Sequence, residues 1–153
     1  MAENAILIEF APAGPYEDEG VAAGEIKPGE VLELTWNSGA GQWEVQPNEA
    51  AVPGLRVAKG GFEEGLDQVY AGGDGVRLIQ VHSGEVVQAY VYGEADGAAA
   101  TIAKGEVLYK TAAADHTTGH EGALDANVNG VAVARAKEDV GSGDSELIKV
   151  EKL

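Results

Sequence analysis

Ile102-Ala-Lys-Gly-Glu-Val-Leu108 matches Ile26-Lys-Pro-Gly-Glu-Val-Leu32 at five of seven positions, at an offset of 76 residues. The same offset aligns Val128-Asn-Gly-Val-Ala-Val-Ala-Arg135 with Val52-Pro-Gly-Leu-Arg-Val-Ala-Lys59. Two separated blocks with one offset predict a duplicated β unit, with repeat blocks at 24–59 and 100–135. The alternative is that glycine-rich β sequences match themselves by composition. Because a unit with few strands leaves its edges unpaired, we expect the two units to combine into one domain.

Short apolar runs between glycine-rich turns indicate an all-β fold, either a barrel or a sandwich. The 153 residues include 22 glycines, and turn signals recur about every 8–12 residues, the spacing typical of these folds. We expect one β domain at residues 21–153, preceded by an arm or first strand at 1–20. The one candidate for a helical turn is 61–70. The predicted strands are Ala5–Phe10, Val31–Trp36, Gln42–Val45, Gly54–Ala58, Gly75–Val81, Val86–Tyr92, Val107–Lys110, Gly130–Arg135 and Glu146–Glu151.

Acidic residues dominate the charge of the chain. There are 26 Asp and Glu against 10 Lys and Arg, which gives a formal net charge of -16. Nucleic acid is not an expected partner, because binding it requires a basic surface. The acids are spread along the chain, as on a solvated surface, and few lysines accompany them. This balance predicts a halophilic protein whose surface binds salt cations diffusely; an ordinary acidic protein is the alternative.

We expect molar salt to stabilise the folded chain. A net charge of -16 repels itself more strongly in a compact state, and the Debye length falls from about 10 Å at 0.1 M salt to about 3 Å at 1 M. Circular dichroism should show a thermal midpoint that rises by roughly 5–10 °C between about 0.1 M and about 3 M KCl. A midpoint that stays constant over this range would remove the halophile argument.

Cysteines and long apolar segments are both absent from the sequence. With no cysteine, disulfides, thiol nucleophiles and thiolate metal sites are excluded. No apolar run reaches the ~18 residues of a membrane span. The opening Met1-Ala-Glu-Asn4 has an acidic residue where a signal peptide carries basic ones. We therefore expect a protein that is neither membrane-spanning nor conventionally secreted.

One cluster contains metal-ligand residue types at close spacing. Its members are Asp115, His116, His120 and Glu121, and two histidines four apart could share a helix face. Nearby glycines and threonines disfavour a helix, and the cluster falls in the variable hairpin of the second repeat. A solvated loop is the better interpretation, so no metal site is predicted.

Other motifs also lack the pattern of a reactive site. Gly72-Gly-Asp-Gly75 lacks the Lys-Ser/Thr of a phosphate-binding loop and is expected to be a turn. His82-Ser-Gly-Glu85 is a predicted hairpin turn in which no carboxylate is assigned to orient His82, so no triad is expected. Glu17-Asp-Glu19 and Glu138-Asp139 lack the spacing of a calcium loop. We predict no catalytic residue, and the chain is not expected to be an enzyme.

Apolar side chains at two places are candidate contacts with partners. Trp36 and Trp43 flank a predicted hairpin, where they could form a sugar-stacking shelf, pack across the hairpin or contact a subunit. An N-terminal stretch could add a strand to a neighbouring chain; the alternative is a first strand of the same domain. The candidates in that stretch are Ile6, Leu7, Ile8 and Phe10.

Several segments, in this order, resemble small head proteins of tailed bacterial and archaeal viruses. The resemblance covers most of residues 20–136, although its motifs are short and rich in glycine. The matching segments are Val21–Glu33, Ala51–Ala58, Tyr70–Leu78, Ser83–Val91, Ile102–Tyr109 and Val131–Ala136.

The proteins that these segments resemble are capsid decoration or cementing proteins, which form barrel-like or tulip-like trimers on the outside of the capsid. The resemblance implies a structural virion protein that binds the major capsid protein and itself, as a trimer. It implies binding without turnover and supplies no catalytic residue. Separately from the resemblance, we expect no cofactor, and the charge and the absence of a long apolar segment predict no nucleic-acid partner and no membrane partner. Together with the acidic composition, the resemblance points to a haloarchaeal virus, with synthesis in the host cytoplasm and a final location on the capsid surface. The alternative is a host-recognition or carbohydrate-binding module of a turret or fibre that uses Trp36 and Trp43.

Overall fold

A computed structural model describes residues 7–9, 16–47, 54–60, 69–112 and 122–153. These residues form strands and turns and no helix, which confirms the all-β prediction. Consistently, no helix able to cross a membrane is found among them. The strands are β1 (Leu7–Glu9), β2 (Tyr16–Ala22), β3 (Leu32–Asn37), β4 (Gln42–Pro47), β5 (Arg56–Ala58), β6 (Gly75–Gln80), β7 (Val86–Tyr92), β8 (Glu94–Ala95), β9 (Ala98–Ala99), β10 (Val107–Lys110), β11 (Val131–Ala136) and β12 (Ser145–Lys152).

Two five-stranded sheets build the domain. The first has the order β3-β4-β2-β6-β5 and the second β1-β7-β12-β11-β10, while β8 and β9 form a small hairpin. Of the paired strands, β2 and β4 are parallel. The first sheet is not a closed barrel, since in the described part of the chain β3 and β5 do not pair as strands, and the bridge near them joins Val31, just before β3, to Val57. In the second sheet, Leu124 and Asp125 bridge to β7 and β10. The architecture is therefore a sandwich of two curled sheets.

Each face of the first sheet contributes residues to an apolar cluster. One face buries a cluster that includes Leu32, Val45 and Leu78. The other face contributes Val57 and Ile79 to a larger cluster, which also contains the inward side chains of the second sheet. The neighbouring residues Leu78 and Ile79 thus lie in different clusters, as expected for an internal strand that is apolar on both sides. This arrangement packs the second sheet against the first.

Most predicted strands are present within one or two residues, but β2 was missed. The segment Tyr16–Ala22 carries consecutive acidic residues and no apolar alternation, so local pattern gives no strand signal there. It is nonetheless the central strand of the first sheet, paired with β6 along its length and with β4 at its end. The boundary expected after residue 20 therefore falls within a strand. The predicted helical turn at 61–70 lies largely outside the described residues.

The turn at His82–Glu85 links the two sheets and does not close a hairpin. The turn itself was predicted correctly: Gly84 has a φ of 84°, and the Glu85 N–H donates to the His82 carbonyl at 3.0 Å. The predicted pairing of its flanking strands was wrong, because β6 belongs to the first sheet and β7 to the second. The physical reason is the long ladder that β7 forms with β12, a non-local pairing that periodicity does not specify.

The Gly-Glu turns of the two repeat blocks, Lys27–Glu30 and Ala103–Glu106, have the same backbone geometry, which the turn at His82–Glu85 shares. Gly29 and Gly105 have φ angles of 93° and 96°. In both turns the glutamate N–H donates to the carbonyl three residues earlier, at 3.1 Å for Glu30 and 3.0 Å for Glu106. Positive φ at the third residue is the mark of a type II turn, which strongly favours glycine there. The first pair of repeat blocks therefore occupies matching turns.

The second pair of blocks matches with a different offset. The Gly29 N–H donates to the Ala58 carbonyl at 2.9 Å, as the Gly105 N–H does to Ala136 at 2.8 Å. Ala58 thus matches Ala136, two residues beyond the position that an offset of 76 predicts. The predicted alignment of Val52–Lys59 with Val128–Arg135 is shifted accordingly, and the β10–β11 ladder has an irregular register beside it. A common origin of the two units stays a prediction.

Candidate functional site

Trp36 and Trp43 face each other across the hairpin of β3 and β4. They are opposite in register, with ring centroids 5.4 Å apart and an interplanar angle of 66°. This edge-to-face contact stabilises a hairpin by about 0.5–1.5 kcal/mol beyond the area that it buries. The side chains remain 54% and 50% exposed. The pair is therefore a fixed apolar feature on the surface.

The tryptophans continue the apolar face of the first sheet beyond its buried part. Strand alternation places Trp36 on the same face as Leu34, and Trp43 on the same face as Val45. Val45 is buried and Leu34 half-buried. Leu34 and Val45 both pack over Gly20 of β2. A Cβ added at Gly20 would lie 2.6 Å from Val45 Cγ1 and 3.0 Å from Leu34 Cδ1. The apolar face of the hairpin is thus buried at Leu34 and Val45 and open to solvent at the two rings.

The opposite face of this hairpin is polar and hydrogen-bonded internally. Asn37 Nδ2 donates to Glu44 Oε1 at 3.0 Å, and Gln42 Nε2 donates to Glu44 Oε2 at 3.4 Å. Asn37 Oδ1 also accepts the N–H groups of Gly39 and Ala40 at 3.0 and 3.1 Å. These polar groups lie on the side away from the rings, and the edge-to-face rings share no flat surface.

The candidate metal ligands Asp115, His116, His120 and Glu121 all lie outside the described residues. Within the described ranges, no three His, Asp or Glu side chains are placed to hold a metal. The acidic pair considered for cations has another role, because Glu138 accepts the Lys149 N–H and Asp139 the Lys104 N–H, each at 2.7 Å. Glu138 thus binds a backbone N–H of β12, and Asp139 binds the turn at Ala103–Glu106.

His82 has a carboxylate partner that the sequence interpretation missed. Glu85 is buried, and its Oε1 lies 3.0 Å from His82 Nδ1. The Gly-Glu turn itself was the signal in the sequence. In the similar turn at 27–30, the Glu30 carboxylate also accepts the N–H of the first turn residue, Lys27. The Ser83 hydroxyl donates to the Leu153 carbonyl at 2.7 Å, so it is not directed at the imidazole. The arrangement is a capped turn and lacks the geometry of a triad.

The N-terminal stretch is an edge strand of its own domain at residues 7–9. Leu7 pairs with Val87 and Glu9 with Val86, with an irregular register between them. This is the second of the two alternatives that the sequence left open. Ile6 and Phe10 lie outside the described residues, and pairing of this stretch with another chain stays a prediction.

Comparison with solved structures finds a match along most of the chain. The crystal structure of the N base of head fibre protein gp8.5 from bacteriophage phi29 aligns with a TM-score of 0.51 at 14% identity, over 92% of this chain and 98% of that chain. The chain is similar in fold to a phage head fibre base. No protein-family model and no curated protein sequence matches it. At this identity the likeness shows the fold alone.

A buried ion pair joins the two sheets of this fold. Lys110 Nζ on β10 lies 3.7 Å from Glu33 Oε1 on β3, with the side chains 4% and 14% exposed. Burial lowers the pKa of Lys110; Glu33 opposes this shift, and the positive charge of Arg56 adds to it. The pair fixes one sheet against the other, and it was not predicted.

Proposed function

We propose that this chain is a structural virion protein of a tailed virus and decorates the outside of the capsid by binding the major capsid protein. The observation that carries the proposal is the fold likeness to a phage head fibre base over 92% of the chain. The sequence resemblance to small head proteins points to the same class from short motifs. Fold alone does not determine function, so binding to capsid shells is the decisive test of this role. The net charge of -16 favours a virus of a high-salt host.

The mechanism in this role is binding by preformed shape. Trp36 and Trp43 present half-exposed rings on a hydrogen-bonded hairpin, so little conformational freedom is lost when a partner covers them. Tryptophan is enriched among the residues that dominate interface energies. In the trimer that the resemblance implies, each symmetric copy contributes a modest contact. Together these contacts give stable attachment.

Co-sedimentation with empty capsid shells tests this mechanism. The wild-type chain should sediment with shells, and Trp36→Ala with Trp43→Ala should weaken binding by roughly 30-fold or more, because two central aromatic contacts are lost. Val128→Ala is the matched control, since Val128 is also exposed, at 62%. The mechanism is wrong if the Trp variant binds like the control, and the proposed function is wrong if the wild-type chain stays in the supernatant.

Host recognition through a carbohydrate is the second candidate function, favoured by the exposure of the two indole rings. It would use one ring face, because the two rings are not coplanar. Glycan-array binding that is lost in Trp43→Ala, together with normal binding of that variant to shells, would support recognition. Capsid binding predicts the reverse pattern.

A further inference from the structure

The sequence contains three steps at which an Asp or Asn precedes a glycine, namely Asp74-Gly75, Asp96-Gly97 and Asn129-Gly130. At such a step the glycine nitrogen can attack the side-chain Cγ of the preceding residue, because glycine has no side chain to obstruct the approach. The surroundings of each step in the structure decide which of the three is free to react.

The reaction needs no reagent other than water. A bond forms between the glycine nitrogen and Cγ, and the Cγ–O bond of a protonated Asp or the Cγ–N bond of an Asn breaks. The leaving group takes the proton of the glycine nitrogen and departs as water or ammonia. Water then opens the resulting succinimide ring. Opening at the backbone carbonyl leaves isoaspartate, in which the main chain runs through the side-chain methylene group.

Hydrogen bonds hold the first step, Asp74-Gly75, on several sides. Asp74 Oδ2 accepts the Ala71 N–H at 2.8 Å. The Asp74 N–H donates to the Ala71 carbonyl at 3.0 Å, and the Asp74 carbonyl accepts the Ala22 N–H at 2.8 Å. Ring closure would take the carboxylate from its donor and rotate the carbonyl away from Ala22. The fold therefore opposes succinimide formation at this step.

At the step Asn129-Gly130 the attacking nitrogen is already engaged. The Gly130 N–H donates to the Asn127 carbonyl at 3.0 Å. Gly130 also lies against neighbouring backbone, because a Cβ added there would be 2.4 Å from the Lys110 carbonyl oxygen. Attack on Asn129 would break the hydrogen bond and move a closely packed glycine. This step is therefore protected as well, although its side chain is exposed.

The remaining step, Asp96-Gly97, has none of these restraints. Asp96 and Gly97 have φ angles of 52° and 79°, so they form the central residues of a type I′ turn, for which Asp-Gly is a preferred sequence. Both residues are exposed, and a Cβ added at Gly97 would meet no atom within 4 Å. In the part of the chain that the structure describes, no hydrogen bond of the Asp96 carboxylate or of the Gly97 N–H is found.

The hairpin that carries this turn is held weakly. Strands β8 and β9 pair only with each other, outside both large sheets, through Glu94 with Ala99 and Ala95 with Ala98. A short two-stranded hairpin is only marginally stable in water, and such segments open at low free-energy cost. The turn can therefore adopt the backbone geometry of a succinimide without unfolding the domain.

We infer that Asp96-Gly97 is a site of isoaspartate formation in the folded protein and that the fold protects the other two steps. The product adds a methylene group to the main chain at the turn that joins Ala95 to Ala98, so the observed register of β8 with β9 is lost. It also creates a free α-carboxylate, the group that isoaspartate-repair methyltransferases esterify. The inference rests on the turn and its hydrogen bonds and does not depend on the virion role.

Storage of the folded wild-type chain at neutral pH and high salt, below its thermal midpoint, tests this inference. Peptide mass spectrometry with electron-transfer fragmentation locates isoaspartate, which has the same mass as aspartate. It should accumulate at residue 96 roughly 10-fold faster than at residue 74, where at least one hydrogen bond must break first. Equal accumulation at the two residues, including none at either, would overturn the inference.

Asp96→Asn gives a matched comparison within one chain, since positions 96 and 129 then both carry an Asn-Gly step. Asn-Gly is a preferred type I′ sequence, so the variant should keep the hairpin. In concentrated urea the two positions should deamidate at rates within about 3-fold of each other, because little structure distinguishes them. In the folded variant, position 96 should react roughly 10-fold faster than position 129. A ratio in the folded variant equal to that in urea would contradict protection by the fold.

Discussion

Gly93→Ala is expected to destabilise the domain by about 3 kcal/mol or more. A Cβ at Gly93 would lie 2.0 Å from the Gly141 carbonyl oxygen and 2.9 Å from that of Ala100. Both are backbone atoms, and the site is held by bonds of 2.9 Å from Gly93 N–H to Asp144 and from Ala100 N–H to Gly93. A flexible side chain could rotate away from an added methyl group, but these segments cannot move without breaking hydrogen bonds.

Denaturant unfolding measures this effect against Gly75→Ala. At Gly75, the first residue of β6, a Cβ would meet no atom within 4 Å, so the change should alter the free energy of unfolding by about 0.5 kcal/mol or less. For Gly93→Ala the thermal midpoint should fall by roughly 6–12 °C in a chain of this size. Equal stability of the two variants would contradict the close approach of the strands at Gly93.

Glu33→Ala should also destabilise the fold strongly, by about 3 kcal/mol or more, because it leaves the Lys110 ammonium buried without its counter-ion. The two side chains are 14% and 4% exposed, respectively. The nearby positive charge of Arg56, which already adds to the lowering of the Lys110 pKa, would then be unopposed by Glu33. Unfolding in denaturant at neutral pH measures the loss.

The control for Glu33→Ala removes both charges. Lys110→Met with Glu33→Gln should lie within about 1 kcal/mol of the wild-type stability, since no buried charge is left unpaired. If the double variant is as unstable as Glu33→Ala, the ion pair is not the cause of the loss.

The pH dependence of the Glu33→Ala variant follows from the lowered pKa of Lys110. Between this folded value and the unfolded value of about 10.4, the unfolded chain binds more protons, so stability rises with pH in that window. Loss of Glu33 removes an interaction that raises the pKa, so the rise should begin at lower pH than in the wild type. An unchanged pH profile would contradict the assigned causes.

Strands with apolar alternation could be predicted from the sequence, whereas sheet membership could not. Val86–Tyr92 was predicted with its observed bounds because its side chains alternate between core and surface. The acidic Tyr16–Ala22 has no such pattern, yet neighbours on both sides make it a central strand. The partner of β7 is the distant β12, and local periodicity does not contain that information.

Only part of the candidate site could be predicted from the sequence. The hairpin turn between Trp36 and Trp43 predicted that the rings would be close, but their edge-to-face angle and half exposure depend on where the sheet core ends. The Lys110–Glu33 pair could not be found, because residues far apart in sequence meet only when the two sheets pack.

Electron cryomicroscopy of empty capsid shells incubated with this chain tests the proposed virion role most directly. The shells should show density for a two-sheet β domain at symmetry-related positions on their outer surface, at high salt and saturating protein. The same density should be lost with Trp36→Ala and Trp43→Ala together and retained with Val128→Ala. Outer surfaces that stay bare with the folded wild-type chain would contradict a role in capsid decoration.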